Sequence, residues 1–317
     1  MEIVGQSLDD ALIELYQELP RQGHLNVGSR GTNTELLGVT IRIENPRARL
    51  SRSEDRGKLF SAIGELLWYL SGSDKLCFIQ PYINAYKNDA EDGILAGAYG
   101  PRLFKKEGHI DQIQNVVRLL SERPTSRRAV IQLFDAEDIV AQHKEIPCTT
   151  TLQFHLREGL LSMSVTMRSN DAYWGLPHDV FCFTMLQEMI ARRLGVGLGS
   201  YIHHAGSMHI YENFMEAAKS YVGEGYQRPE EMPEMPNGNP FDLVPTILSA
   251  ESWARSGKPF NANDVFEDDY WADFVRMIQV HWARRRNEDV EDIKNALVNN
   301  LYKRYVPPET PTGKSAG

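Results

Sequence analysis

The chain has 317 residues, 42% hydrophobic and 24% charged. That composition supports a packed core and excludes a disordered, collagen-like or disulfide-stapled chain. Asp and Glu (43) outnumber Lys and Arg (34), for a formal net charge of −9; such a chain is a poor coat for nucleic acid, and no nucleic-acid partner is expected, although a basic pocket for one phosphate is compatible with it.

In chain order, Leu8, Leu12, Leu15 and Tyr16 stand at helical spacing. Gly28, Gly31 and Asn33 read as a loop, and Leu37 to Ile43 alternates like a strand. Residues 58–70 are a strongly apolar helix with Gly72 as its stop. A long polar, Gly-rich loop is expected over 82–104, then a helix over 110–120. Strands are expected at Arg128–Phe134, Thr150–Leu156 and Leu161–Met167, and a buried helix at Phe181–Leu194, ended by Gly195. A further strand leads into His209, Ile210 and Tyr211, followed by a helix over 212–221. Residues 222–245, rich in Pro, Gly and Glu, read as an exposed excursion; 268–286 and 287–302 read as amphipathic helices. The order of elements is mixed α+β with strands clustered in the middle.

The three cysteines, Cys77, Cys148 and Cys182, lack CxxC spacing. This argues against a disulfide framework or a structural zinc and points to a reducing, cytoplasmic setting. No apolar run approaches the ~18–20 residues of a membrane span, and the acidic start MEIVGQSLDDAL does not read as a secretory signal. His203 and His204 are adjacent and point apart on a strand, and no HExxH spacing, Walker loop or GxGxxG is present, so neither a metal nor a dinucleotide fold is expected.

Cys148 follows Pro147 at the mouth of a strand, where a thiolate would need nearby positive charge or donors; the plainer reading is a small buried residue, which also suits Cys77 and Cys182. Arg127-Arg128 and Arg168-Ser169 border strands and suit a phosphate, or merely solvent. Asp171 and Asp179 flank the aromatic segment AYWGLPH and suit a flat heterocycle with N–H donors, although Asp179 could equally cap a helix starting near Val180. His209 and Tyr211 share one strand face and suit hydroxyl recognition or an ordinary polar sheet face. Glu65, inside GELLWYL, is a buried carboxylate in need of a purpose or partner.

Taken together the blocks resemble the thymidylate synthase superfamily over roughly residues 5–220. In order they are Ser29-Arg30-Gly31-Thr32, Glu65-Leu66-Leu67-Trp68, Tyr99-Gly100, Ser126-Arg127-Arg128, Pro147-Cys148, Arg168-Ser169-Asn170-Asp171, Gly175-Leu176-Pro177 and His209-Ile210-Tyr211. The resemblance implies a central mixed β-sheet packed by helices, with one sheet face used for homodimerisation. It implies a catalytic core over 1–221, a divergent C-terminal extension over 222–306 with helices on the core, and a flexible tail over 307–317. By it Cys148 adds to C6 of a pyrimidine nucleotide, and C5 attacks the one-carbon unit of 5,10-methylenetetrahydrofolate. Arg30, Arg168 and Ser169 hold the 5′-phosphate, joined by Arg127 and Arg128 of the partner subunit. His209 and Tyr211 bind the sugar 3′-hydroxyl, Glu65 organises proton-moving water and Tyr99 assists loss of the C5 proton. Asp171 hydrogen-bonds the pterin, beside Tyr86. No metal is implied.

Departures from the thymidylate-forming pattern point to a cytosine base. Asp179 stands where Asn is usual, Thr149 follows the nucleophile where His is usual, and Asn170 replaces a small residue or Cys, as in phage deoxycytidylate hydroxymethylases. The polar ending KRYVPPETPTGKSAG and a loop with Tyr82 and Tyr86 but no Trp suggest a wetter site, in which water traps the one-carbon unit as hydroxymethyl. The expected activity is conversion of dCMP to 5-hydroxymethyl-dCMP. The alternatives are the same chemistry on CMP, a dCMP methylase or divergent thymidylate synthase, and a non-catalytic nucleotide- or RNA-binding relative.

Overall fold

The computed structural model describes residues 1–28, 31–51, 58–140 and 142–306. Two compact units divide the chain, Met1–Asp242 and Leu243–Gly317. The first begins with β1 (Glu2–Gly5), α1 (Leu8–Gln22), β2 (His24–Gly28), β3 (Gly31–Ile43) and α2 (Leu59–Ser71). It continues with α3 (Leu76–Ile79), α4 (Tyr99–Phe104), α5 (Gln112–Glu122), β4 (Val130–Gln132), β5 (Thr149–Arg157) and β6 (Leu160–Asp171). It closes with α6 (Gly175–Leu194), β7 (Gly197–Tyr211) and α7 (Met215–Gly223). Among the described residues one seven-stranded sheet runs β1-β3-β7-β6-β5-β4, with β2 added to β3. β1–β3 and β6–β7 are parallel pairs and the others antiparallel. The fold is the expected α+β mixed sheet packed by helices.

Local chemistry explains the elements. Ser7 accepts from the Asp10 N–H while Asp10 reaches back to the Ser7 N–H, a capping box that starts α1. Its Leu8, Leu12, Leu15 and Leu19 then bury one face. α2 ends at Gly72 in the left-handed conformation, as an apolar helix with a glycine just beyond it should. Along β6 and β7 the buried positions are odd-numbered through Met167 and Ala205, then even-numbered from Asn170 and Met208. Both strands switch face together at Arg168 and Gly206, where a Cβ on Gly206 would lie 3.0 Å from the Arg168 carbonyl oxygen. The switch turns Asn170 inward and leaves Ser169, Asp171, His209 and Tyr211 half-buried.

Several expectations give way. The loop expected over 28–33 is a β-hairpin, with Gly28 opposite Gly31, so β3 starts six residues early. The polar stretch 82–104 contains a 3-10 turn, Asn84–Asn88, and α4. α6 starts at Gly175, which places Asp179 within the helix and removes its capping role. The stretch after α7 is not an exposed excursion. Met232 and Met235 are buried, the Met232 N–H donates to the Arg47 carbonyl, and the Met235 N–H donates to Glu188, which also pairs with buried Arg49. Methionines and two acceptors, not helix or strand pairing, hold this segment. Cys77 is exposed, whereas Cys182 is buried as expected.

The second unit contains α8 (Val244–Ser256), α9 (Asp269–Arg285), α10 (Glu291–Ala296) and α11 (Asn300–Arg304). α8 has no counterpart in the periodicity reading, and the helix expected over 287–302 is two pieces. Buried Asp273 accepts from the Val298 and Asn299 N–H groups, which favours the break between them.

Gly64 lies one residue before Glu65, and a Cβ there would sit 2.1 Å from the Tyr82 ring. Gly64→Ala is expected to destabilise the protein by about 1–3 kcal/mol, the cost of overpacking, read as a lower urea midpoint at unchanged slope.

Candidate active site

Three hydrogen-bonded groups meet on the α2, α4 and α6 side of strands β5, β6 and β7. The first surrounds Cys148, just ahead of β5. Arg168 donates through Nε to the Pro147 carbonyl (2.9 Å) and through Nη2 to the Ile146 carbonyl (3.0 Å). Nη2 also stands 3.5 Å from Cys148 Sγ, and the Arg168 N–H donates to the Cys148 carbonyl. A guanidinium is thus fixed against the sulfur, the setting that favours thiolate over thiol. Next along, Tyr99 Oη accepts from the Thr149 N–H (3.0 Å) and hydroxyl (2.9 Å). Burial, then the nearby Cys148, holds the Tyr99 phenol well above its ordinary range, so it keeps its proton. Arg102 positions α4 by a bidentate pairing to Asp138 (2.8 and 2.6 Å) and a bond to the Leu133 carbonyl (2.6 Å).

The second group centres on Glu65, buried in α2. Its Oε1 accepts from Tyr69 (3.1 Å) and Tyr86 (2.8 Å). Tyr86 packs edge-on against Trp68, and Tyr69 lies 5.2 Å from the Tyr99 ring, joining this group to the first. Burial, then the Glu65 charge, pushes both phenols well up.

The third group holds Asp179. Asn170 Nδ2 donates to Asp179 Oδ2 at 2.7 Å, and His203 Nε2 meets Asn170 Oδ1 at 2.9 Å. Burial foremost, then the Glu65 charge, raises the Asp179 carboxyl well above the usual carboxylate range; the Asn170 bond opposes this only in part. Burial thus favours the protonated carboxyl, a form able to donate one hydrogen bond and accept others.

The remaining expected residues fall around these. Asp171 Oδ1 accepts from the Tyr173 and Trp174 N–H groups (2.7 and 3.0 Å), so one of its oxygens closes the turn into α6. Ser169 Oγ and His209 Nδ1 are 3.5 Å apart, and the His209 and Tyr211 rings meet edge to face at 5.2 Å. Arg127 and Arg128 are exposed just before β4. Arg30 lies outside the described residues, as does the tail from 307. His203 is buried and His204 faces the other way, 3.0 Å from Thr40 Oγ1. No described helix is long and apolar enough to cross a membrane.

Sequence reasoning missed Ser61 and His178. His178 Nδ1 meets the Trp174 carbonyl at 2.9 Å and its Nε2 meets Ser61 Oγ at 2.8 Å. Burial lowers the imidazole below its ordinary range. Since a carbonyl only accepts, Nδ1 carries the proton and Nε2 is an acceptor. His178 directly precedes Asp179, and Ser61 lies one helical turn before Glu65, which were the available signals.

The family model of thymidylate synthase matches residues 21–239. The chain belongs to the thymidylate synthase family. The protein named thymidylate synthase of Buchnera aphidicola subsp. Acyrthosiphon pisum (strain Tuc7) is 29% identical over 217 residues, covering 66% of this chain and 82% of that relative. Its namesake from Buchnera aphidicola subsp. Baizongia pistaciae (strain Bp) is 32% identical over 181 residues, covering 55% and 66%. The chain is accordingly a one-carbon transferase of this family, whose co-substrate is methylenetetrahydrofolate.

Two outcomes check this geometry. Arg168→Met is expected to move the alkylation profile of Cys148, followed by peptide mass after iodoacetamide, up by about one pH unit, as loss of an adjacent cation should. The Asp179 carboxyl is raised in the folded state, so its contribution to stability is full below the unfolded value near ~3.9 and is lost as pH rises. Asp179→Asn, which keeps an acceptor for Asn170, should melt above the wild type at about pH 8, and the gain should shrink towards about pH 4.

Proposed function

We propose that this enzyme converts dCMP to 5-hydroxymethyl-dCMP, with methylenetetrahydrofolate as one-carbon donor and water as the final nucleophile. The observation that carries this reading is Asp179, a buried carboxyl that accepts from Asn170 and that burial pushes towards its protonated form. A neutral acid presents one O–H and one carbonyl oxygen. Cytosine presents the complement, a bare N3 and an N4 amino group. Uracil presents N3–H and O4 instead, which the acid would match only with its proton on the other oxygen; the Asn170 amide, donating to Oδ2, favours that oxygen as the acceptor.

In this reading Cys148 attacks C6 while Asp179 gives its proton towards N3, which draws electron density from C6. The Cys148 adduct divides one difficult substitution into easier steps. Folate supplies carbon at the formaldehyde level. Water completes the transfer, so tetrahydrofolate leaves unoxidised and the elements of dCMP, one-carbon unit and water balance. Tyr99, fixed by Thr149 beside the nucleophile, takes part in removing the C5 proton. Glu65, with Tyr69 and Tyr86, orders water at the base. Asp171 and Tyr86 face the pterin. Arg168 bonds the nucleophile's loop through Nε and Nη2, which leaves Nη1 for a phosphate oxygen, together with Ser169 and Arg30. His209 and Tyr211 take the sugar hydroxyl.

A hydroxymethyl product is supported by the polar lining, since Ser61, His178 and Tyr86 put hydrogen-bonding groups near Glu65. A homodimer, with Arg127 and Arg128 entering the partner's phosphate site, is supported by exposed Leu25 and Val27, which share one face of β2. Burying such a sheet patch against a second copy is favourable. The relatives' name favours a second reading, methylation of dUMP.

The deciding experiment incubates the enzyme with methylenetetrahydrofolate and dCMP, CMP or dUMP, and identifies products by mass. Hydroxymethyl-dCMP with tetrahydrofolate is expected. A methyl product with dihydrofolate would refute water as the acceptor, and turnover of dUMP alone would refute the cytosine assignment. Asp179→Asn should move the dCMP to dUMP preference towards dUMP by about tenfold or more.

A further inference from the structure

Behind Asp179 runs a buried hydrogen-bond chain whose far members, His203 and Tyr201, have been given no chemical role. Asp179 Oδ2 accepts from Asn170 Nδ2 (2.7 Å), Asn170 Oδ1 meets His203 Nε2 (2.9 Å), and His203 Nδ1 meets Tyr201 Oη (2.9 Å). His203 and Tyr201 are fully buried and face the core two residues apart on β7. Burial holds the imidazole down to about 3 and raises the phenol well above its ordinary value. Both are neutral, so His203 has one donor and one acceptor nitrogen.

These facts fix the direction of the chain. With the Asn170 amide donating to Asp179, its carbonyl faces His203, so Nε2 must carry the ring proton. Nδ1 is then bare and accepts from the Tyr201 hydroxyl. Run the other way, Asp179 would donate to a flipped Asn170, whose NH2 would face a bare Nε2, and Nδ1–H would donate to Tyr201. That arrangement strands the Tyr201 proton, because among the described residues His203 is that hydroxyl's hydrogen-bond partner and no solvent reaches it. A stranded buried donor is costly. The site is also tight: a Cβ on Gly175 would lie 2.9 Å from Asn170 Nδ2, so the amide has little room to adopt a compromise.

We propose that the Tyr201 hydroxyl, acting through His203 and Asn170, fixes which Asp179 oxygen accepts and which carries the proton, and thereby selects an amino-bearing pyrimidine edge over an oxo-bearing one. Tyr201 and His203 are positioning residues. The inference rests on Asp179 reading the base. With Oδ2 held as the accepting oxygen, Oδ1 bears the proton and meets a bare ring nitrogen, while Oδ2 has a second lone pair for the amino group. An oxo-pyrimidine brings an N3–H, which needs a bare Oδ1; the neutral acid offers that only with its proton on Oδ2 and donated to Asn170, the arrangement that strands Tyr201.

The test compares Kd values for dCMP and dUMP, by calorimetry, in the wild type and in Tyr201→Phe, which removes one hydroxyl and no ring. The ratio favouring dCMP is expected to fall about tenfold, the worth of one stranded donor, through tighter dUMP binding. Loss of affinity for both nucleotides in equal measure, or an unmoved ratio, overturns the inference. A second measurement needs no variant. The nitrogen-15 spectrum of wild-type His203 should show Nε2 protonated and Nδ1 bare, and the opposite tautomer overturns it as well. A wild type that favours dCMP with a ratio unmoved in Tyr201→Phe defeats this inference alone. A wild type that favours dUMP defeats the base assignment and this inference together.

Discussion

Everything at this site depends on two carboxyl groups sharing one poorly solvated space. Glu65 and Asp179 lie near enough that the charge of the first raises the second. Two ionised carboxylates there would be strongly unfavourable. Their hydrogen-bond partners divide the labour. Glu65 takes two phenolic donors, from Tyr69 and Tyr86, whereas Asp179 takes one amide donor and loses most of its hydration. Asp179 is left as the acid. Burial and the neighbouring Glu65 charge thereby favour a proton on Asp179.

The elements that achieve this are few. Cys148 comes from just ahead of β5, Arg168 and Asn170 from the adjacent strand β6, and Asp179 from the helix that follows β6 after a tight turn closed by Asp171. The joint face switch of β6 and β7 lets Arg168 turn towards the thiol while Asn170, two residues on, turns into the core. A strictly alternating β6 would send both side chains to one face. The close contact at Gly206 is part of that geometry, since a side chain there would press on the Arg168 carbonyl. α2 and α4 then add Glu65 and Tyr99 from the far side, with Arg102 pinning α4 to the segment before β5.

What the sequence made legible was the part written in local patterns. The helix at 58–70 and the strands on either side of Glu158-Gly159 follow from period and turn chemistry, and the ordered blocks around Cys148 and Arg168 named the family. Asp179 was harder. Its aromatic, Gly- and Pro-containing surroundings look like a helix start, and only the packing of α6 shows it one turn inside the helix and buried. His203 and Tyr201 carried no signal, because alternating aromatic and polar residues on a strand describe any core face. His178, in the first turn of α6, was signalled only by its place directly before Asp179. The segment around Met232 read as exposed because its Pro, Gly and Glu content masks two buried methionines and acceptors 47 and 188, which are far away in sequence. Long-range partners of irregular backbone leave no periodic trace.

The relative placement of Cys148 and Asp179 is itself a consequence of the sheet. Groups that are to act together on one small ligand need their separation held to within a fraction of an ångström. Loops alone hold such tolerances poorly. Here the Cys148 carbonyl is hydrogen-bonded to the Arg168 N–H, and Asn170, two residues further along the same strand, holds Asp179. The sulfur and the acid are therefore tied to one strand, β6, by short bonds at each end. Arg168 adds two bonds to the loop carbonyls beside the sulfur, so its charge and its geometry act together. A change to β6 that shifts its register would displace both groups at once, whereas a change in α2 or α4 would fall on Glu65 or Tyr99 instead.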